Sequence, residues 1–243
     1  MNSGPVDESS ALNERDVSVQ APYRDRSHAG RCLAEALGAY AGRADVLILG
    51  LPRGGVPVAY EVACALAAPL DVLVVRKLGV PGHSELAMGA IASGGGRVIN
   101  RDVVELAGIS EAQIEAVAER EERELRRRES AYRGERALLQ RTEHCLILID
   151  DGLATGASMR AAVEAVRHSK PARIVVAVPV APPSTLAQLR EVADEVICPA
   201  APESFYAVGQ WYVDFSQTSD EEVRALLERA QLREQRAHAE KTE

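Results

Sequence analysis

Two acidic side chains stand together at Asp150-Asp151, at the end of the apolar run CLILI (145–149). Small and hydroxylated residues follow at once: Gly152, Leu153, Ala154, Thr155, Gly156, Ala157 and Ser158. Adjacent carboxylates repel each other and need solvent, cations or hydroxyl donors. Met159, Ala162, Val163 and Val166 then recur at helical spacing. The N-terminus of that helix presents free backbone N–H groups and the positive end of its dipole, worth about 0.3–1 kcal/mol to an anion. The hydroxyls of Thr155 and Ser158 add donors. Carboxylates first and an anion cradle next suit a ligand with a diol or a metal at one end and a phosphate at the other. A ribose 5-phosphate meets that description. The chain contains no GxxxxGK[ST] motif and no GxGxxG after its first strand, so neither a P-loop nor a dinucleotide fingerprint is present.

The elements that must position this segment follow from apolar spacing. DVLILG (45–50) reads as a strand and runs into the Gly/Pro loop LPRGG. Val56, Ala59, Val62, Ala63 and Leu66 then form a helical stripe, and DVLVVRK (71–77) reads as a second strand. CLILI, RIVVAVPV (173–180) and EVICP (195–199) supply three more. Continuous Val/Ile/Leu strands alternating with helices predict an α/β fold, a doubly wound, mainly parallel sheet of about five strands covered on both faces. Ligands of such sheets gather beyond the carboxyl ends of the strands. Residues 78–89 read as a long loop, and Gly94-Gly95-Gly96 as a tight hairpin between short strands. Ser110 with Gln113 and Ser219 with Glu222 form capping-box patterns, and Ser184 is expected to cap a further helix. The predicted organisation is a mobile tail (1–20), a main domain (21–218) with a helical insert (110–141) and an aromatic segment (200–218), and a charged C-terminal helix (219–243).

Composition narrows the function classes. Of 243 residues, 28 are Lys or Arg and 36 are Asp or Glu, a formal charge of −8 that argues against a nucleic-acid partner. No apolar run approaches the roughly 20 residues that cross a bilayer, and no signal-peptide pattern is present, so the expected compartment is the cytoplasm. Cys32, Cys64, Cys145 and Cys198 form no CxxC pair and are expected to be buried, reduced thiols. Residues 119–129 carry five Glu and five Arg, read as a solvated helix laced with ion pairs. His28, His144, His168 and His238 show no metal-ligand spacing.

Residues 146–158, LILIDDGLATGAS, resemble the PRPP-binding signature of type I phosphoribosyltransferases, where PRPP is 5-phosphoribosyl 1-diphosphate. Pro52-Arg53-Gly54-Gly55 is similar to the loop that holds pyrophosphate in that family, and Arg76-Lys77 with the Gly/Pro residues after them is similar to its second strand and flexible catalytic loop. The resemblance covers roughly residues 45–200. It implies transfer of a phosphoribosyl group from PRPP to a nucleobase-like acceptor, with Mg²⁺ as cofactor and release of pyrophosphate. It also implies roles. Asp150 and Asp151 would accept hydrogen bonds from the ribose 2′- and 3′-hydroxyls and meet Mg²⁺ indirectly, through ligand and water. The 154–158 amides, with Thr155 and Ser158, would hold the 5-phosphate. Arg53, Lys77 and the Gly54 and Gly55 amides would meet the pyrophosphate, with Arg76 and Gly152 also in the PRPP site. Closure over 78–87 would exclude water, and a homodimer is common in the family.

Phe205, Tyr206, Trp211, Tyr212 and Phe215 fall within eleven residues. They are read either as the core of a small hood or, with Phe205, Tyr206 and Trp211 foremost, as an acceptor pocket that stacks a planar base. A second functional expectation is a non-catalytic module that senses PRPP or a nucleotide and acts on a protein partner through the charged helix.

Overall fold

The structure, a computed structural model, describes residues 23–134 and 142–239. The tail 1–20 and the end of the insert (135–141) lie outside them. Helix α1 (Arg26–Ala36) leads to β1 (Val46–Gly50), α2 (Gly55–Leu66) and β2 (Leu70–Val72). Three strands follow, β3 (Val75–Val80), β4 (His83–Ala92) and β5 (Gly96–Ile99), then α3 (Arg101–Leu106) and the long α4 (Glu111–Arg133). The remainder is β6 (Cys145–Ile149), α5 (Ala157–Arg167), β7 (Arg173–Ala177), α6 (Pro183–Arg190), β8 (Glu195–Ile197) and α7 (Asp220–Ala239). A five-stranded sheet of order β2-β1-β6-β7-β8 is parallel throughout, as the apolar strands predict. Side-chain alternation splits it between two cores. Val46, Ile48, Cys145, Ile147 and Ile149 pack toward α1, α2, α4 and α7. Leu47, Leu49, Leu146 and Leu148 pack toward α5 and α6.

The run at 71–77 is not one strand. Leu73 still donates to Gly50 O, but Val74 exchanges backbone and hydroxyl bonds with Ser93, and the chain enters a separate antiparallel sheet, β3-β4-β5. The predicted loop at 78–89 is therefore mostly hairpin, and Arg76 and Lys77 sit on β3 rather than at the end of the main sheet's second strand. Its Gly/Pro signals mark register shifts at Leu78/Gly79 and Gly79/Val80 and the turn at Pro81-Gly82. The glycine hairpin at 94–96 forms as expected. So do the capping box on Ser110 and Gln113 and the Ser219 cap, but α6 starts at Pro183 without a side-chain cap, so Ser184 does not serve as one. Cys145 is buried as expected, whereas Cys64 is exposed. Among the described residues no helix is long and apolar enough to cross a membrane.

Helix α4 is charged yet firmly joined to the core. Ile114, Val117, Ala118 and Leu125 face inward, and its last residue reaches β2. There Arg133 donates to both Asp71 oxygens (2.8 and 3.1 Å) and to Val72 O (2.6 Å), with each side chain only 7% exposed. Arg133 also donates to Glu129 (3.0 Å), and removing a cation that serves such buried carboxylates costs about 3–5 kcal/mol. Urea unfolding should therefore show Arg133→Met losing about that much stability, and Arg133→Met with Asp71→Leu recovering only part of it, because the contact to Glu129 stays broken. Equal stability of single variant and wild type would contradict the assignment.

Candidate active site

Strands β1 and β6 are parallel neighbours, with Gly50 opposite Ile149. The chain leaves β1 toward β2 on one side and returns from β6 toward β7 on the other, so the strand order reverses between them. That is where a doubly wound sheet opens a crevice at its carboxyl end. Both sequence-marked loops emerge there. Regular strand ends at Ile149 and the backbone bends at Asp151. Asp150 Oδ1 accepts from the Asp151 N–H (2.9 Å), and Asp151 Oδ2 accepts from Arg26 Nε (2.7 Å). Among the described residues the other two oxygens, Asp150 Oδ2 and Asp151 Oδ1, have no hydrogen-bond partner.

The Pro52-Arg53 peptide is cis, and the two residues after it pack on the acid turn. A Cβ on Gly54 would lie 2.0 Å from Asp151 Oδ2, and one on Gly55 would lie 2.6 Å from Ile149 O. Gly55 also donates its N–H to Leu51 O (3.0 Å). Its expected role as a donor to pyrophosphate is thus corrected: its amide is committed, and it serves by permitting close approach. Arg53 leans toward α7, with a guanidinium nitrogen 3.9 Å from Asp220 Oδ1.

The segment after the acids forms an open cradle. Gly152 is buried, while Ala154, Thr155, Ala157 and Ser158 are exposed around it. Gly156 precedes α5 with φ +67°, and Thr185 Cγ2 lies 2.7 Å from where its Cβ would be, so only glycine fits. The Thr185 hydroxyl donates to Ala154 O (2.6 Å), fixing the loop. The N–H groups of Thr155, Gly156 and Ser158 donate to no carbonyl among the described residues. Beside Ser158 opens a cavity of about 790 Å³, walled by Arg76, Lys77, Val80, Val117, Arg120 and Glu121. Arg76 is held there by Glu121 through two bonds of 2.6 and 2.9 Å.

The aromatic residues are not brought to the crevice as a stacking pocket. Phe205 and Trp211 stack on each other (centroids 6.5 Å apart, 13° between planes) over a small core containing Tyr23, Ala29, Val180 and Tyr212, and Tyr206 is 91% exposed. The hood reading describes these contacts and the acceptor reading does not. Tyr212 and Phe215 lie against the acid turn instead: the Tyr212 hydroxyl donates to Asp151 O, and Phe215 underlies Arg26, whose Cζ is 4.0 Å from the ring centroid.

A family model for the phosphoribosyl transferase domain matches residues 26–216. The chain belongs to that family. Among solved structures similar to it is TT1426 from Thermus thermophilus, at 45% identity and a TM-score of 0.77, covering 85% of this chain and 97% of that one. Two curated proteins of Mycobacterium tuberculosis, from strains CDC 1551 and H37Rv and provisionally named phosphoribosyl transferases, are each 50% identical over 208 residues. That is 86% of this chain but 47% of each relative, so the chain spans about half the length of the curated relatives it matches.

In this phosphoribosyl transferase domain the residue that sequence reasoning missed is Arg26. It lies on α1, outside the stretch that resembles the family motifs, and no local pattern marks it. Its guanidinium is the only cation bonded to the acid pair among the described residues. Desolvation, and then the neighbouring Asp151 charge, hold the Asp150 carboxyl well above its usual range. Desolvation also raises Asp151, opposed by Arg26. Among the described residues no group of three or more His, Cys, Asp or Glu could hold a metal ion.

Two outcomes follow. An acid whose folded pKa is raised binds its proton more tightly when folded, so the ligand-free protein loses stability as pH rises above about 4 toward the raised value. Asp150→Asn should therefore melt higher than wild type at pH 7–8, by about 1 kcal/mol, with the gap closing below pH 4. A gap independent of pH would refute this. Gly54→Ala should displace the Asp151 carboxylate and cost about 1–3 kcal/mol in thermal unfolding; a neutral substitution would mean the loops are not in contact.

Proposed function

We propose that this domain is a phosphoribosyltransferase that binds PRPP with Mg²⁺ and transfers the phosphoribosyl group to a nitrogen of a small, nucleobase-like acceptor. The observation that carries the reading is the turn at 149–158: two carboxylate oxygens without partners among the described residues, followed directly by a helix N-terminus whose Thr155, Gly156 and Ser158 amides meet no carbonyl there, in the crevice where strand order reverses. The free oxygens would accept from the 2′- and 3′-hydroxyls, as charge-assisted bonds. The Thr155, Gly156 and Ser158 amides and the two hydroxyls would receive the 5-phosphate. Arg53, the Gly54 amide and Lys77 would face the pyrophosphate.

The donor set suits Mg²⁺, which keeps several waters and takes few protein carboxylates. Asp150 and Asp151 would hold it through water and sugar hydroxyls, and the ion would supply positive charge to the departing pyrophosphate. In the reaction the C1–O bond breaks with its electron pair on pyrophosphate, while an acceptor nitrogen bonds to C1 and gives up its proton. The chain's part is to orient the sugar, offset the charge on the leaving group and shield a cationic C1 from water. The β3-β4 hairpin, which forms a wall of the cavity beside Ser158, would close over it. The sensor reading rests on the outer face of α4, where Arg120, Arg126 and Arg127 are exposed while the inner face is joined to β2 and β3 by Arg133–Asp71 and Arg76–Glu121.

Calorimetry with PRPP and Mg²⁺ should show saturable binding, and pyrophosphate should be released with at least one of a panel of purine, pyrimidine and nicotinate-like acceptors. Asp150→Asn with Asp151→Asn should weaken PRPP binding by about a hundredfold or more while the fold persists. Unchanged affinity in the double variant would reject the diol assignment. Binding without turnover on any acceptor would favour the sensor.

A further inference from the structure

Arg26 reaches the acid turn from 125 residues earlier in the chain and is held on three sides. Its Nε donates to Asp151 Oδ2 at 2.7 Å, its Nη1 donates to Ser216 O at 2.7 Å, and its guanidinium lies over Phe215. The side chains of Arg26 and Asp151 are only 12% and 14% exposed. Phe215 is in turn packed on Tyr212, with ring centroids 5.0 Å apart, and the Tyr212 hydroxyl holds the Asp151 backbone carbonyl. Both ends of the Arg26–Asp151 pair are therefore clamped by residues 212–216. The Arg26 Nε also stands 3.1 Å from where a Gly54 Cβ would be, between the loop after β1 and the acids.

We propose that Arg26 is a positioning residue for sugar recognition: by holding Asp151 Oδ2 it directs Oδ1 to a ribose hydroxyl. This rests on the phosphoribosyl reading above. A carboxylate rotates freely about Cβ–Cγ until one oxygen is held, and a guanidinium fixed on three sides holds it in one orientation. The same charge offsets part of the repulsion between Asp150 and Asp151. Two other roles compete. Arg26 could be only a strut joining α1 and residues 212–216 to β6, or its Nη2, which has no partner among the described residues, could touch pyrophosphate directly.

The test is calorimetry on the full chain with Mg²⁺, using ribose 5-phosphate, pyrophosphate and PRPP separately, beside thermal unfolding. Arg26→Gln should weaken ribose 5-phosphate and PRPP about tenfold and leave pyrophosphate within about twofold. Arg26→Lys should recover part of the loss, a lysine supplying charge without the fixed fork. Should Arg26→Gln not fold, Phe215→Leu loosens the guanidinium without removing it, and a loss of about threefold confined to the sugar-bearing ligands is expected. Loss for pyrophosphate with ribose 5-phosphate unchanged would overturn the positioning role in favour of direct contact. A lowered melting temperature with all three affinities intact would overturn it in favour of the strut. Wild-type protein that binds none of the three would instead overturn the phosphoribosyl reading, and this inference with it.

Discussion

The site depends on one act of crowding, the closure of the loop after β1 onto the turn after β6. Leu51 N–H reaches Ile149 O at 2.8 Å, and the places where Gly54 and Gly55 would carry side chains are filled by the Asp151 carboxylate and the Ile149 carbonyl. This proximity is a consequence of sheet order. Parallel strands in register, with Gly50 opposite Ile149, deliver their carboxyl ends to one place, and the reversal of strand order leaves no helix to cover it. Two glycines remove the last steric barrier. A ligand seated there meets one loop from each strand at once, which is why a molecule charged at both ends suits the crevice better than one charged at a single point.

Charge follows the same arrangement. The chain carries a formal charge of −8, yet Arg26, Arg53, Arg76, Lys77 and Arg120 stand around the crevice, and each of the arginines faces an internal carboxylate. Those pairings differ in how readily an anionic ligand could replace them. Arg53 and Asp220 are 3.9 Å apart and 38% and 49% exposed, so water already screens them and little is lost when they part. Arg76 makes two short bonds to one oxygen of Glu121, which is 11% exposed and is also paired with Arg120 through its other oxygen, and breaking the Arg76 bonds would take a poorly hydrated carboxylate from its closest partner. Adjacent positions in the sequence can thus carry different duties: Arg76 fastens the hairpin to α4, while Lys77 at the same wall of the cavity is exposed and forms no ion pair among the described residues.

Much of this is legible in the sequence where the signal is local. The strands β1, β6, β7 and β8, the Ser110 and Ser219 caps, and the acid turn with its cradle each lie within about a dozen consecutive residues. What is not legible depends on distant parts of the chain. The apolar run at 71–77 contains no break, because the switch between sheets is made by Ser93, which claims the Val74 amide from 19 residues away. Glycine and proline at 79–82 read as loop in isolation, yet antiparallel pairing with β4 absorbs them as register shifts and a turn, an instance of tertiary context overriding local punctuation. Cys64 lies among apolar neighbours in the sequence but projects from the outward side of α2. Arg26 leaves no local trace at all.

The aromatic segment shows how a composition signal can be correctly noticed and still be divided between duties. A base-stacking platform needs at least one ring face open beside the reacting centre. Here Phe205 and Trp211 cover each other, Tyr212 is buried against Tyr23, and Phe215 is covered by the Arg26 guanidinium. Tyr206 is open on nearly all sides. The cluster is best understood as backing, because its apolar mass excludes water from behind Asp151 and strengthens the pair that Arg26 makes there. The space left beside the cradle is the cavity between β3 and α4, whose wall carries Arg76, Lys77, Arg120 and Glu121 and no aromatic ring. A molecule in that space would meet these charged groups beside the apolar walls of Val80 and Val117, and the polar groups would discriminate by what is left unpaired rather than by the size of a flat surface.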